Sequence, residues 1–194
     1  MRSTIAKGFT LVELMVVVAI VAILAVMAAP SYRDMIDRYR LRSATEEVVS
    51  VISNARAGAV KLDRQVKVTF GGSGKTWCVG AAAAALPAGG ARAGDATACD
   101  CTDNSPVCSV DGEPLILAPG KHKNVALLGS PTELAFDGQL GLATGSGGVL
   151  GTSSVSLTSP STKYDLRVDV SPLGQATICV PSTSDAGVVG FQSC

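Results

Sequence analysis

The chain has 194 residues, 47% of them hydrophobic and 16% charged, with 16 Lys and Arg against 16 Asp and Glu. That balance excludes a wholesale polyanion binder, which needs a net positive field, and an intrinsically disordered chain, which lacks apolar surface to bury. With 4% aromatic residues and 21 glycines, the interior must rest on Val, Leu, Ile and Ala, in one domain or a small domain with an appendage.

From Leu14 to Ala29 the sequence reads LMVVVAIVAILAVMAA, and between Phe9 and Ala29 the one ionisable group is Glu13. As a helix, positions 9–30 begin with a run of roughly 31 Å, the thickness of a bilayer's hydrocarbon core. Arg2 and Lys7 ahead of it favour a cytoplasmic N-terminus and an exported remainder. An ordinary signal peptide is cut after its apolar region, whereas here Gly8 follows Lys7 in front of it. Glu13 needs a reason, because a lone acid in a membrane helix costs about 2.5–3.5 kcal/mol on insertion scales, and a plain anchor has no use for one. Pro30, with no amide hydrogen, is expected to kink the helix or break it locally.

Residues 31–64 are rich in charge, and Leu41, Ala44, Val48, Val51, Ala55, Ala59 and Leu62 form one apolar stripe on a helical repeat. This segment reads as an amphipathic helix whose stripe must be covered; Gly58 leaves its end open. Residues 65–194 then form a β-rich domain. Strands are expected at 65–70, 76–80, 114–118, 124–128, 133–136 and 153–158. The clearest signal is Tyr164-Asp-Leu-Arg-Val-Asp-Val170, which alternates apolar and polar, turns at Ser171-Pro-Leu-Gly174 and continues with Ala176, Ile178 and Val180. That is an antiparallel hairpin with one wet face. Residues 81–106 and 144–152 read as loops. The fold class is thus α+β, a long N-terminal helix packed on a C-terminal antiparallel sheet domain.

Cys78, Cys99, Cys101, Cys108, Cys179 and Cys194 all follow the membrane segment. An even number in an exported domain predicts three disulfides, with 15 connectivities open. Zinc is not expected, since Cys99-x-Cys101 lacks C-x-x-C spacing and export favours disulfides. Gly71-Gly-Ser-Gly-Lys-Thr76 imitates a phosphate loop, yet Thr69 stands where the motif needs its first glycine and a strand follows, so a β-turn is expected. His122, the sole histidine, sits between Lys121 and Lys123 and reads as a surface residue; no G-x-S-x-G element is present, and neither enzymatic activity nor a cofactor is expected.

Gly8-Phe-Thr-Leu-Val-Glu13 followed at once by the apolar run resembles the class III signal, G-F-T-L-x-E, of the type IV pilin superfamily. The resemblance implies a leader of residues 1–8, cleavage by prepilin peptidase between Gly8 and Phe9, N-methylation of Phe9, and pairing of Glu13 with the terminal amine of an adjacent subunit. A finer resemblance, to the GspH/FimT branch, lies in Pro30, Arg40-Leu-Arg-Ser-Ala44, Asn54-Ala-Arg-Ala-Gly-Ala-Val-Lys61, Leu134-Ala-Phe-Asp-Gly138 and Gln175-Ala-Thr-Ile-Cys179. It implies a pilin-like fold and a minor pilin of the FimT kind. Such a subunit is inserted in the inner membrane with a periplasmic C-terminus, then assembles with other pilins in the filament or at its tip. It also implies Cys179 bridged to Cys194, as in many pilins, with two further bridges among the other four cysteines. A minor pseudopilin of type II secretion is the alternative. A second alternative is a DNA-uptake pilin, whose G-R-x-R motif is replaced here by Gly174-Gln-Ala-Thr177, so nucleic acid is not expected as a partner.

Overall fold

The computed structural model describes residues 10–85, 96–103, 107–145, 148–185 and 187–194; Gly8 and Phe9 lie outside the described residues. The chain divides into two compact units, Met1–Ile36 and Asp37–Cys194. Helix α1 spans Leu11–Leu62, with Pro30 inside it and no interruption there. In the first unit its described side chains are exposed or half-buried, and the helix is long and apolar enough to cross a membrane.

In the second unit the expected stripe is buried from Leu41 to Ala59, joined by Thr45, Ile52 and Gly58. Thr45 is tolerated because its hydroxyl donates to the Leu41 carbonyl at 2.8 Å. Gly58 marks a close approach rather than a helix end: a Cβ there would lie 2.3 Å from Cγ1 of Val110. The helix stops instead at Asp63, whose φ of 48° is left-handed. The Arg64 N–H reaches the Ala59 carbonyl and the Asp63 N–H the Val60 carbonyl, which is a Schellman cap with aspartate in the usual glycine position.

Eleven strands are described after the helix: β1 Val66–Gly71, β2 Cys78–Ala83, β3 Ser109–Val110, β4 Glu113–Pro114, β5 Ile116–Leu117, β6 Ala126–Gly129, β7 Leu134–Phe136, β8 Ala143–Thr144, β9 Ser153–Thr158, β10 Asp165–Val170 and β11 Ala176–Cys179. They form a five-stranded sheet ordered β5-β2-β1-β7-β8, a four-stranded sheet ordered β11-β10-β9-β6, and the β3-β4 ribbon. Neighbouring strands all run antiparallel. Val66, Val68, Leu134 and Phe136 of the first sheet and Val155, Leu157, Leu166 and Val168 of the second share one core with the α1 stripe.

Three sequence expectations change. The loop expected from residue 81 starts after Ala83, because Ala81–Ala83 pair with Val66–Val68. The strand expected at 114–118 is two short ones, since Leu115 donates to the Cys108 carbonyl and accepts from the Ala81 N–H, serving two ladders. The loop expected at 144–152 contains pairing: Thr144 belongs to β8 and bridges Leu150.

Disulfides join Cys78 to Cys101, Cys99 to Cys108 and Cys179 to Cys194. The first two are buried side by side, packed with Ala82 and Ile116. Two strand glycines make room for the sulfur. A Cβ on Gly71 would lie 2.9 Å from Sγ of both Cys78 and Cys101, and one on Gly80 would lie 2.4 Å from Sγ of Cys108.

Candidate functional site

Thr10 caps α1. Its Oγ1 accepts the Glu13 N–H at 3.2 Å and its carbonyl accepts the Leu14 N–H at 3.1 Å. Glu13 therefore stands three positions after the cap, in the first turn, where the positive pole of the helix favours a carboxylate. This local task was missed from sequence, although the T-x-x-E spacing ahead of an apolar run is its signal. The large apolar side chains from Leu11 to Met27 are exposed, so Glu13 opens a continuous uncovered apolar helix.

The hairpin that holds the place of the DNA-binding motif is β10–β11, with Val168 opposite Ile178 and Asp169 opposite Thr177. Gly174 has a φ of 74°, and a Cβ there would lie 2.3 Å from the Gly141 carbonyl and 2.8 Å from Nε of Arg56. That glycine is structural: Arg56 of α1 donates to the Gly141 carbonyl at 3.1 Å, and the Ala143 N–H donates to the Pro172 carbonyl at 3.0 Å, so both turns are fastened to the helix. Gln175 and Thr177 are exposed. On the outer face beside them, Arg167 donates to both carboxylate oxygens of Asp169, Nε at 2.8 Å and Nη2 at 2.9 Å. Arg167 is thus neutralised by its neighbour, and a phosphate would have to displace a bidentate carboxylate to reach it.

The Leu134-Ala-Phe-Asp-Gly138 motif also acts locally. Phe136 is fully buried in the core. The Asp137 carboxylate accepts the N–H groups of Gln139, Leu140 and Leu142. Burial works to raise its carboxyl, but these backbone donors prevail and hold it below its ordinary value. Gly138 abuts the helix end, where a Cβ would lie 2.2 Å from the Arg64 nitrogen.

His122 is not the surface residue expected from its lysine neighbours. Its side chain is 14% exposed, stacks on Trp77 with centroids 6.1 Å apart, and places Nε2 3.2 Å from Oε2 of Glu47. Lys121 Nζ lies 2.8 Å from the same oxygen. Burial acts to raise the Glu47 carboxyl, and the pairing with Lys121 and the nearby His122 outweighs it, leaving it lowered. This ties the β5–β6 turn, the crossover between the two large sheets, to α1. Gly71–Thr76 forms the turn of the β1–β2 hairpin, with the Thr76 N–H on the Ser73 carbonyl. Asp169, Cys179 and Cys194 bring potential metal-ligand atoms within 4.8 Å of one another, but both sulfurs are bonded to each other and offer no thiolate.

Residues 5–29 match the family described as prokaryotic N-terminal methylation motif, and residues 44–174 match the family described as type II transport protein GspH. Among solved structures, the type IV minor pilin FimU of Pseudomonas aeruginosa is similar, with 17% identity, 75% of this chain and 91% of that chain covered, and a TM-score of 0.45. Among curated proteins none matches.

Proposed function

The chain belongs to the family of type II transport protein GspH, and from that membership we propose that it is a minor pilin, a structural subunit of the type IV pilus rather than an enzyme. The observation that carries the reading is the methylation motif over residues 5–29 running straight into a helix whose apolar side chains are uncovered. A helix of that kind is stable in a bilayer before assembly and in a bundle of like helices afterwards. In this reading prepilin peptidase cuts between Gly8 and Phe9, Phe9 is N-methylated, and Glu13 meets the terminal amine of the subunit beside it. Pro30 loosens the helix where the apolar half gives way to the charged one. The protein passes from the inner membrane, with its domain in the periplasm, to the filament or its tip. The three disulfides, within Cys78, Cys99, Cys101 and Cys108 and between Cys179 and Cys194, suit that oxidising compartment.

The family's own description favours a second reading, a minor pseudopilin of type II secretion. Deletion separates them: loss of surface pili and twitching with secretion intact supports the pilus, and a secretion block with pili intact supports the pseudopilus. Mass spectrometry of membrane-extracted protein should find an N-methylated phenylalanine terminus without residues 1–8. An intact Met1 terminus beside an active prepilin peptidase would sink both readings. DNA capture is disfavoured by Gln175, Thr177 and the paired Arg167.

A further inference from the structure

The three disulfides differ in what can reach them. Cys78, Cys99, Cys101 and Cys108 are each at most 2% exposed, so a thiol from solvent meets neither of their bridges while the sheet is intact. In the third bridge Cys179 is half-buried and Cys194 is exposed. Exchange requires a thiolate to approach one sulfur and push the other away, so access selects this bridge and selects Cys194 as the sulfur attacked. The departing sulfur is then that of Cys179. Arg167 stands opposite Cys179 in the β10–β11 register, and Oδ2 of Asp169 lies 3.4 Å from the Cys179 sulfur while accepting from Arg167 Nη2 at 2.9 Å. An anion forming on Cys179 is therefore opposed by one neighbour and favoured by the other.

We propose that Cys179–Cys194 is a thiol-exchange site, attacked at Cys194 by an external dithiol, with Asp169 and Arg167 setting how readily Cys179 departs. The attacking thiolate bonds to the Cys194 sulfur, the Cys179–Cys194 bond breaks, and its electron pair leaves on Cys179, which takes a proton from water. The second thiol of the partner then attacks its own sulfur in the mixed disulfide and releases Cys194. The bridge gains two electrons and the partner ends as a disulfide; closure is the same path reversed. Opening has a defined structural product. The bridge secures a segment whose end is held by the Val180 N–H on the Gln192 carbonyl at 2.8 Å and the Cys194 N–H on the Val180 carbonyl at 3.0 Å. That segment buries Val188 in the core and sets Phe191 under Arg42 of α1. Reduction thus loosens a clamp between β11 and the helix and leaves the two buried bridges in place. That the dithiol is a periplasmic one rests on the reading above; the chemistry does not.

The test uses the full chain in detergent and two probes, dithiothreitol and glutathione, quenched with iodoacetamide and followed by peptide mass spectrometry. With limiting dithiothreitol, Cys179 and Cys194 should be alkylated at least about a hundredfold faster than the other four cysteines, and amide exchange should then rise over residues 187–194. A short glutathione pulse should leave glutathione on Cys194 and the alkyl group on Cys179. Asp169→Asn should speed the opening about three- to tenfold and Arg167→Gln should slow it about threefold. Loss of all three bridges together, or of a buried one first, would overturn the site. Glutathione on Cys179 would overturn the direction of attack, and rates indifferent to both substitutions would remove Asp169 and Arg167 from it. Neither probe depends on where the chain resides, so a chain found outside the periplasm strikes the reading above and leaves the exchange site standing.

Discussion

The hairpins β1–β2 and β10–β11 are built on the same antiparallel plan, yet β10–β11 is visible in the sequence almost residue by residue, whereas β2 is legible only in its first residues. In β10, Leu166, Val168 and Val170 are buried while Arg167 and Asp169 face water, so the pleat writes itself into the sequence as alternation. In β2, Cys78, Val79, Gly80 and Ala81 are buried in succession. One face of this strand meets the α1 core and the other lies under two disulfides, so no polar residue marks either side of β2, whereas its partner β1 still alternates through Lys67 and Thr69. The difference is one of covering layer. Disulfide sulfur replaces solvent over β1–β2, and its thickness is accommodated by Gly71 and Gly80, residues that on propensity alone argue against a strand.

The largest expected effect follows from that layer. Gly80→Ala places a methyl 2.4 Å from Sγ of Cys108, combining overpacking of about 1–3 kcal/mol with loss of a bridge typically worth about 2–5 kcal/mol. Detergent-solubilised protein should melt far below wild type, with free thiols titratable at Cys99 and Cys108. A near-normal melt with both thiols still oxidised would mean that the sulfur layer can shift off the sheet.

On the other hairpin a bridge does a smaller task. Cys179–Cys194 closes a 15-residue separation from β11, pinning a segment in which Val188 is buried against the core. Replacing both cysteines by serine should cost about 3 kcal/mol, or roughly 6–12 °C in melting temperature. Because the polar face of β10 and β11 needs no cover, the sheet should survive, and amide exchange should rise chiefly after residue 180. Exchange spreading through β10 would erase the contrast between the hairpins.

These differences explain what could be read beforehand. The helix stripe, the β10–β11 hairpin and the methylation signal rest on periodicity or on contiguous residues, which a sequence displays directly. The pairings Cys78–Cys101 and Cys99–Cys108, the β3 and β8 strands, and the seat of His122 depend on what the fold brings near. Strands of two residues have no period. His122 looked solvated because its neighbours in sequence are lysines, whereas its neighbours in space are Trp77 and Glu47. Gly174 reads as a turn residue in the sequence, but the tight approaches of Gly138 to Arg64 and of Gly141 and Gly174 to Arg56 become visible only in three dimensions.

A third expectation concerns the Asp137 turn, which fastens β7 to the helix end. Asp137→Ala leaves three N–H groups without their carboxylate and should cost about 2 kcal/mol. The pH dependence has a definite sign. The folded carboxyl titrates below its unfolded value, so the charged form adds stability that is fully present above about pH 4 and disappears as pH falls through the lower folded value. Asp137→Asn should therefore remove part of the acid-side slope of stability. An unchanged slope between pH 5 and 2 would show that the turn does not depend on the charge.

The smallest effect has the opposite direction and lies at the end of α1. Asp63 holds a left-handed φ of 48° in a cap that ordinarily takes glycine. Relieving that strain gains about 1 kcal/mol, and the greater unfolded freedom of glycine takes back about half of it. Asp63→Gly should thus raise the melting temperature by about 1–2 °C, provided the Arg64–Ala59 and Asp63–Val60 hydrogen bonds persist. A lower melting temperature would show instead that the aspartate side chain supports the cap, leaving glycine with no advantage there.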